Sequence, residues 1–194
     1  MIVNPTSVVS EDFLPNHVCQ DIIDVALQKR DQEATVQLGP TDGIRNSRIV
    51  WLTDTWIYDW ISPAIRSLNS QLDWNFNLSE PEEIQFTIYR KGHFYGWHQD
   101  TFDFHQNKNK SSQRKISAVI PLVDSNNYEG GDLQFYESAI HPNKKEEDKI
   151  SSSEKFRKKG SMIVFPSYMY HQVTPVVSGE RLSIVLWYQG AKWQ

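Results

Sequence analysis

Cysteine is almost missing from this chain: Cys19 is the one thiol in 194 residues. That excludes an intrachain disulfide and any multi-thiolate zinc centre. No apolar run approaches the roughly 20 residues that span a bilayer, so no membrane partner is expected. No basic start followed by an apolar core opens the chain, and an intracellular, cytoplasmic setting is the expectation. Gly-rich nucleotide-cradling signatures of the GxGxxG and Walker types are absent, as is the GxSxG of serine hydrolases. Excess positive charge is missing too. Twenty Lys and Arg face 24 Asp and Glu, giving a net charge of −4 and a pI near 5.9. A dedicated nucleic-acid binder usually carries a basic face, so no nucleic-acid partner is expected.

What is present is globular. Hydrophobic residues make up 39% and aromatic residues 12%, with seven tryptophans, enough to build one sizeable core. The length suits a single domain over 1–194, with a more helical support region over 1–80 and a strand-rich core over 81–194.

Ser7-Val8-Val9 reads as a short strand. Pro15 opens a helix that carries Val18, Ile22, Val25 and Ala26 at helical spacing through about Gln28, with Cys19 as a small packed side chain. Ala34–Leu38 and Ser47–Leu52 read as strands, separated by turn-forming residues 39–43. Asp54 is placed to cap a helix with Ile57, Trp60, Ile61, Ile65 and Leu68 on one side, and Pro63 inside it implies a kink or a break. From Glu83 the period becomes two. Ile84, Phe86 and Ile88 alternate with Gln85, Thr87 and Tyr89, as in a half-buried strand. Further strands are expected at Ile116–Val123, Leu133–Tyr136, Ser161–Phe165, Gln172–Val176 and Leu182–Tyr188, with a turn at Gly130-Gly131. Many short strands between turns predict a sandwich or jelly roll. Phe102–Gln113 and Pro142–Lys159 are polar interruptions. The second reads as a solvated loop, and the first, beginning right after His98 and Asp100, is either a solvated loop or a segment that closes over the site.

The chemistry gathers in three places. His98 and Asp100, two apart, project from one face of a strand and can reach one metal ion. A surface pair is the bland alternative for an isolated HxD. His171 opens a later strand after Pro166, where it serves either as a third ligand or as a rim histidine. Two histidines and one carboxylate are the ligand set of the facial triad that binds non-heme Fe(II) and leaves positions open. Arg181 and Ser183 share a strand face. A guanidinium there suits a carboxylate held by two parallel hydrogen bonds, against the alternative of a surface ion pair. His17, His93, His105 and His141 sit at a helix start, a turn and polar loops, and are read as non-ligands.

The ordered set is specific where its pieces are not. It runs through Tyr89-x-x-Gly92-x-x-Tyr95-x-x-His98-x-Asp100, Arg114-Lys115-Ile116-Ser117, Tyr128-Glu129-Gly130-Gly131-Asp132-Leu133, Gly160–Ser167, His171, Val173–Val176 and Gly179-x-Arg181-x-Ser183. From about Ile84 to Tyr188 the chain resembles the 2-oxoglutarate- and Fe(II)-dependent dioxygenases of the prolyl 4-hydroxylase-like superfamily, the bacterial and phage PKHD-type hydroxylases most of all. The resemblance implies a mainly β fold with flanking α-helices, a double-stranded β-helix or distorted jelly roll. It implies Fe(II) on His98, Asp100 and His171, and 2-oxoglutarate on Arg181 with Ser183 as a helper. Tyr89 would offer its hydroxyl to the co-substrate and Trp187 would wall the site.

The implied reaction is hydroxylation of an unactivated C–H bond by O2, on a prolyl or other amino-acid side chain of a peptide, protein or small amino-acid-like substrate. Succinate and CO2 are released, and ascorbate keeps the iron reduced. Two departures stand out. Gln172 follows His171 where many relatives carry arginine. The strand Ala118–Leu122 lacks the tyrosine that in some relatives also holds the distal carboxylate. Other classes stay open: a cupin-like isomerase or sensor, a demethylase of alkylated bases, or a binding module. A cupin needs no carboxylate clamp. The base demethylases carry a second arginine where this chain has Trp187, and the binding module would not need three intact ligands.

Overall fold

The computed structural model describes residues 7–34, 44–101, 112–136 and 149–191. Most of the expected strand at Ala34–Leu38, the turn at 39–43, nearly all of Phe102–Gln113 and the start of Pro142–Lys159 lie outside them.

In chain order the first strand and helix are β1 (Val8–Ser10) and α1 (Asn16–Leu27). They are followed by β2 (Gln32–Glu33), β3 (Arg45–Asn46), β4 (Arg48–Leu52), α2 (Thr55–Gln71) and β5 (Leu78–Pro81). Then come β6 (Ile84–Tyr89), β7 (Phe94–His98), β8 (Ser112–Pro121), β9 (Tyr128–Gly130) and β10 (Leu133–Tyr136). The last strands are β11 (Ile150–Ser151), β12 (Met162–Pro166), β13 (Tyr170–Val173), β14 (Val176–Gly179) and β15 (Arg181–Ala191). Among the described residues a large sheet runs β1-β12-β8-β15-β6-β4-β2, with β5 also on β15. A second sheet runs β11-β10-β13-β7-β3, and β14 pairs with β9. This is the mainly β jelly roll with flanking helices that the resemblance implies, one of the two architectures left open by the strand pattern.

Two apolar clusters explain the layering. On one face of the large sheet, Val18, Ile22 and Ala26 of α1 and Ile57, Ile61 and Ile65 of α2 pack against Phe86, Ile116, Ile120, Val164 and Ile184. On the other face, between the sheets, lie Tyr89, Val119, Phe135, Phe165, Met169 and Val173. The large sheet is therefore covered on both sides. This corrects the expectation of a half-buried strand at β6, where all six residues are buried. Ile84, Phe86 and Ile88 join the helix-side core, while Gln85, Thr87 and Tyr89 turn into the barrel.

Other expectations shift for local reasons. Asp54 occupies the N-cap of α2 without a side-chain cap bond, because its carboxylate takes Lys29 Nζ at 2.9 Å instead. Pro63 does not break α2. It is exposed, so water can reach the carbonyl left without an N–H. Trp60 is 45% exposed rather than core; the stripe Ile57-Ile61-Ile65 is narrow and leaves it outside. The expected strand Gln172–Val176 is two strands, β13 and β14, with Thr174-Pro175 between them. Lys149–Lys159 is not a bare solvated loop: it carries β11 and a 3-10 turn at Glu154–Phe156, with Phe156 buried.

Candidate active site

Cross-strand pairing brings the dispersed residues of the sequence together. His98 at the end of β7 stands opposite His171 on β13, and Tyr95 stands opposite Val173. Two residues of β7, Gly96 and Trp97, thus face the single Gln172 of β13 between the pairs, a bulge. The extra residue turns Tyr95 and His98 to the same side, and their rings stack 3.4 Å apart. Asp100 lies past the strand, so strand alternation does not place it. Two loop hydrogen bonds do: the Asp100 and Thr101 N–H groups donate to the Ser167 carbonyl at 2.9 and 3.1 Å.

His98, Asp100 and His171 each offer a ligand atom, and all these atoms lie within 4.8 Å of one another. The histidines are held alike. His98 Nδ1 donates to the Gly96 carbonyl at 2.8 Å and His171 Nδ1 to the Met169 carbonyl at 2.9 Å. A carbonyl only accepts, so each Nδ1 bears a proton, and Nε2 is the nitrogen left to face a metal ion. The two Nε2 atoms sit 3.7 and 3.5 Å from the Asp100 carboxylate oxygens. Ser117 Oγ donates to Asp100 Oδ2 at 2.7 Å and meets Ser167 Oγ at 2.9 Å. Such outer hydrogen bonds orient metal ligands.

Electrostatics follow the burial. Burial, then His171, pushes His98 well below the usual imidazole range. Burial alone would raise the Asp100 carboxyl. The fields of His171, His98 and Arg114 and the Ser117 hydrogen bond outweigh it and hold the group at about 2. A divalent cation binds an ionised carboxylate and imidazole nitrogens that offer a lone pair, so its binding is coupled to the protons at these groups.

Arg181, Ser183, Val185 and Trp187 line the barrel side of β15. Arg181 is 2% exposed, lies opposite Tyr89 in register, and has its guanidinium 5.3 Å from the Tyr89 ring centroid. Arg181 Nη1 donates to Ser183 Oγ at 3.0 Å. Its Nη2 is buried with no partner among the described residues. Trp187 Nε1 is likewise buried and unpartnered. Gln172, the first departure, donates to Gln134 across the strand pair at 2.7 Å. At the second departure, Pro121 stands opposite Ser183.

Several residues near the site went unnoticed in the sequence. Arg114 stacks 3.7 Å over the Trp187 ring and forks onto Glu82 at 2.8 and 2.5 Å. Arg45 lies 4.6 Å over the Tyr95 ring, its Nε on Ser47 Oγ at 2.9 Å and its Nη2 buried without a partner. Ser117 and Ser167 brace Asp100. Arg114, Ser117 and Ser167 belong to motifs quoted above, but only the fold shows what each touches. His17 and His93 stay out of the cluster, while His105 and His141 lie outside the described residues.

Comparison with known proteins agrees with this geometry. Residues 84–189 match the model of the 2OG-Fe(II) oxygenase superfamily. A PKHD-type hydroxylase of Teredinibacter turnerae is 32% identical over 112 residues, 56% of this chain and 45% of that protein. One from Shewanella oneidensis is 32% identical over 104 residues, 54% of this chain and 41% of that protein. The matches thus span less than half the length of these relatives. Among solved structures, a viral collagen prolyl hydroxylase from Paramecium Bursaria Chlorella virus-1, determined as a 2OG complex, superposes with a TM-score of 0.72 at 20% identity, covering 98% of this chain and 100% of that one. A Pseudomonas putida prolyl-4-hydroxylase gives 0.72 at 20% identity over 97% and 95%. These likenesses establish a shared fold. With the family model matched over more than half of its length, this chain belongs to the 2OG-Fe(II) oxygenase superfamily.

Proposed function

We propose that the chain is an Fe(II)- and 2-oxoglutarate-dependent hydroxylase acting on an unactivated C–H bond of a prolyl or other amino-acid side chain. The observation that carries this is the cluster of two imidazoles and one carboxylate whose ligand atoms lie within 4.8 Å of one another. One carboxylate and two imidazoles, with no thiolate, fit Fe(II) and leave coordination positions free. The orphaned Nη2 of Arg181 fits the distal carboxylate of 2-oxoglutarate.

His98, Asp100 and His171 would hold the metal. Arg181 would hold the co-substrate, with Ser183 fixing the guanidinium from one side and Tyr89 adding its hydroxyl. When bound, iron and 2-oxoglutarate supply the oxidising chemistry in which O2 and 2-oxoglutarate become succinate, CO2 and a hydroxylated substrate. The residues of the barrel keep water away and fix the reactants. Ascorbate would serve as the reductant that restores Fe(II).

Two supports favour a prolyl or similar side chain within a peptide. The neighbouring structures include a prolyl hydroxylase from Trichoplax adhaerens in complex with a hypoxia inducible factor peptide fragment, superposing with a TM-score of 0.70 at 18% identity over 94% of this chain and 82% of that one. Beside the candidate ligands, Arg45 lies over the Tyr95 ring, and its buried Nη2, without a partner among the described residues, is a donor suited to a backbone carbonyl of a peptide. Among the described residues no helix is long and apolar enough to cross a membrane.

The test is an anaerobic titration with Fe(II) and then 2-oxoglutarate, followed by the visible charge-transfer band of the chelate. Its appearance supports the reading. Its absence with iron bound rejects 2-oxoglutarate as the co-substrate.

A further inference from the structure

We infer that Tyr128 is a second binding residue for the distal carboxylate, donating its phenol O–H beside the Arg181 guanidinium. The inference rests on the reading of Arg181 given above and adds a residue to that subsite.

The argument starts from unmet hydrogen-bonding capacity. Among the described residues, five buried side-chain polar atoms have no partner, and Tyr128 Oη and Arg181 Nη2 are two of them. A buried donor without an acceptor costs about 1–3 kcal/mol, so native chains rarely leave one without a ligand or water. The side chains that carry these two groups approach one point in the fold. A Cβ placed on Gly131 would stand 3.1 Å from Arg181 Cδ and 3.5 Å from Tyr128 Cε2. Cε2 is bonded to the carbon that bears the hydroxyl, so it is the phenolic end of Tyr128 that comes to this point. Gly131 has φ +65°, and its lack of a side chain leaves the space that both residues share.

The ring cannot turn away freely. Tyr128 is 5% exposed. Its outer face carries the Arg157 guanidinium, 4.5 Å from the ring centroid. Arg157 Nη2 donates to the Tyr128 carbonyl at 2.9 Å and Arg157 Nη1 to the Gly130 carbonyl at 2.7 Å. Arg157 Nη1 also pairs with Asp132. Tyr128 is further fixed by its pairing with Gly179 across β9 and β14, two residues before Arg181. Strand β8 ends in Pro121 opposite Ser183 and presents no hydroxyl there. A carboxylate accepts about four hydrogen bonds. Arg181 and Ser183 leave some of that capacity unused, and the Tyr128 hydroxyl is a donor held ready for it.

The test is calorimetric binding to the Fe(II)-loaded protein under anaerobic conditions, with two probes. One is 2-oxoglutarate and the other is 2-oxopentanoate, the same chain with a methyl in place of the distal carboxylate. Tyr128→Phe should weaken 2-oxoglutarate on the order of tenfold and leave 2-oxopentanoate unchanged. The ligand-free thermal midpoint of Tyr128→Phe should not fall, since the hydroxyl it removes makes no bond in the fold. Unchanged 2-oxoglutarate affinity in Tyr128→Phe overturns the inference. Equal weakening of both probes, or a lowered ligand-free midpoint, also overturns it by making the hydroxyl structural. Failure of the wild-type protein to bind 2-oxoglutarate would instead reject the co-substrate reading itself.

Discussion

Arg181 brings a full charge into a pocket where Ser183 takes one terminal nitrogen and nothing among the described residues takes the other. A charge so placed is tolerated when a ligand completes it. Arg181→Ala should therefore weaken 2-oxoglutarate by about 100-fold, the worth of two charge-assisted hydrogen bonds, while Fe(II) affinity stays nearly constant. Parallel loss of both affinities in a direct titration would sink the clamp. His171→Ala should lower Fe(II) affinity by at least roughly 100-fold, more than outer-sphere changes usually cost. Retention of full affinity would show the triad to be wrongly drawn. Ser117 gives a finer test. It donates to Asp100 at 2.7 Å and contacts Ser167, so Ser117→Ala should cost roughly 10–100-fold in Fe(II) affinity with the fold intact. The candidate ligands and Arg181 could be named from their spacing because side-chain chemistry is written directly in the sequence. Ser117, Ser167 and Arg45 could not. Each acts through a contact that only cross-strand register or a loop turn creates, and serine and arginine have many ordinary uses.

Strands and turns explain how those contacts arise. Between β8 and β15 the register shifts, with Ile116 opposite Tyr188 and Arg114 opposite Gln189, so Lys115 is the extra residue of a bulge. Its carbonyl accepts from Ser167 N–H at 2.9 Å, and the Ser167 carbonyl in turn holds Asp100 N–H. One bulge in a supporting strand thus reaches the candidate metal ligands in two hydrogen bonds. The bulge also buries Lys115, and burial lowers its amine to about 8 from 10.5. Between those values the unfolded chain keeps a proton that the folded chain has released, so stability attributable to this group rises with pH across that window. Denaturation midpoints followed over the window should climb in the wild type, and the Lys115→Met variant should lack that contribution. A wild-type and variant pair with the same slope would refute it. On the other side of the barrel, Gly179 has φ +75°, and a Cβ there would lie 2.0 Å from the Asn127 carbonyl oxygen. Gly179→Ala should destabilise the β9–β14 pair by more than about 1 kcal/mol, seen as a lower thermal midpoint. Alternation and turn residues announce most of these strands. They do not announce bulges, nor that β6 is buried on both faces, because period two reports that the faces differ and not what covers each of them.

The two apolar clusters bear on whether the first 80 residues are an appendage. We propose that 1–194 is one domain, in which the region before β6 supports the core by being part of it. Strand β1 pairs with β12, β4 with β6, and β3 with β7, so this region extends both sheets. It also supplies Val18, Ile22, Ile23, Ile57, Ile61 and Ile65 to the cluster on the helix side of the large sheet. Full burial of each such side chain contributes roughly 1.5–3 kcal/mol. Their sum is comparable with the entire net stability of a domain, about 5–15 kcal/mol. Removing residues 1–80 would also expose the facing surfaces of Phe86, Ile116, Ile120 and Ile184. A fragment of residues 81–194 is therefore expected to contain all of the candidate metal and co-substrate residues and yet to lack fixed packing. Its near-ultraviolet circular dichroism should be flat, it should bind an apolar dye, and its thermal trace should show no cooperative step. The full chain should unfold in one step seen identically by tryptophan fluorescence and far-ultraviolet circular dichroism. A fragment that melts cooperatively and binds 2-oxoglutarate with Fe(II) would divide the chain at residue 80, and the helices would then be a dispensable cover. Failure of the fragment beside one-step unfolding of the whole would mean that the geometry around His98, Asp100 and His171 depends on isoleucines on the far face of the same sheet.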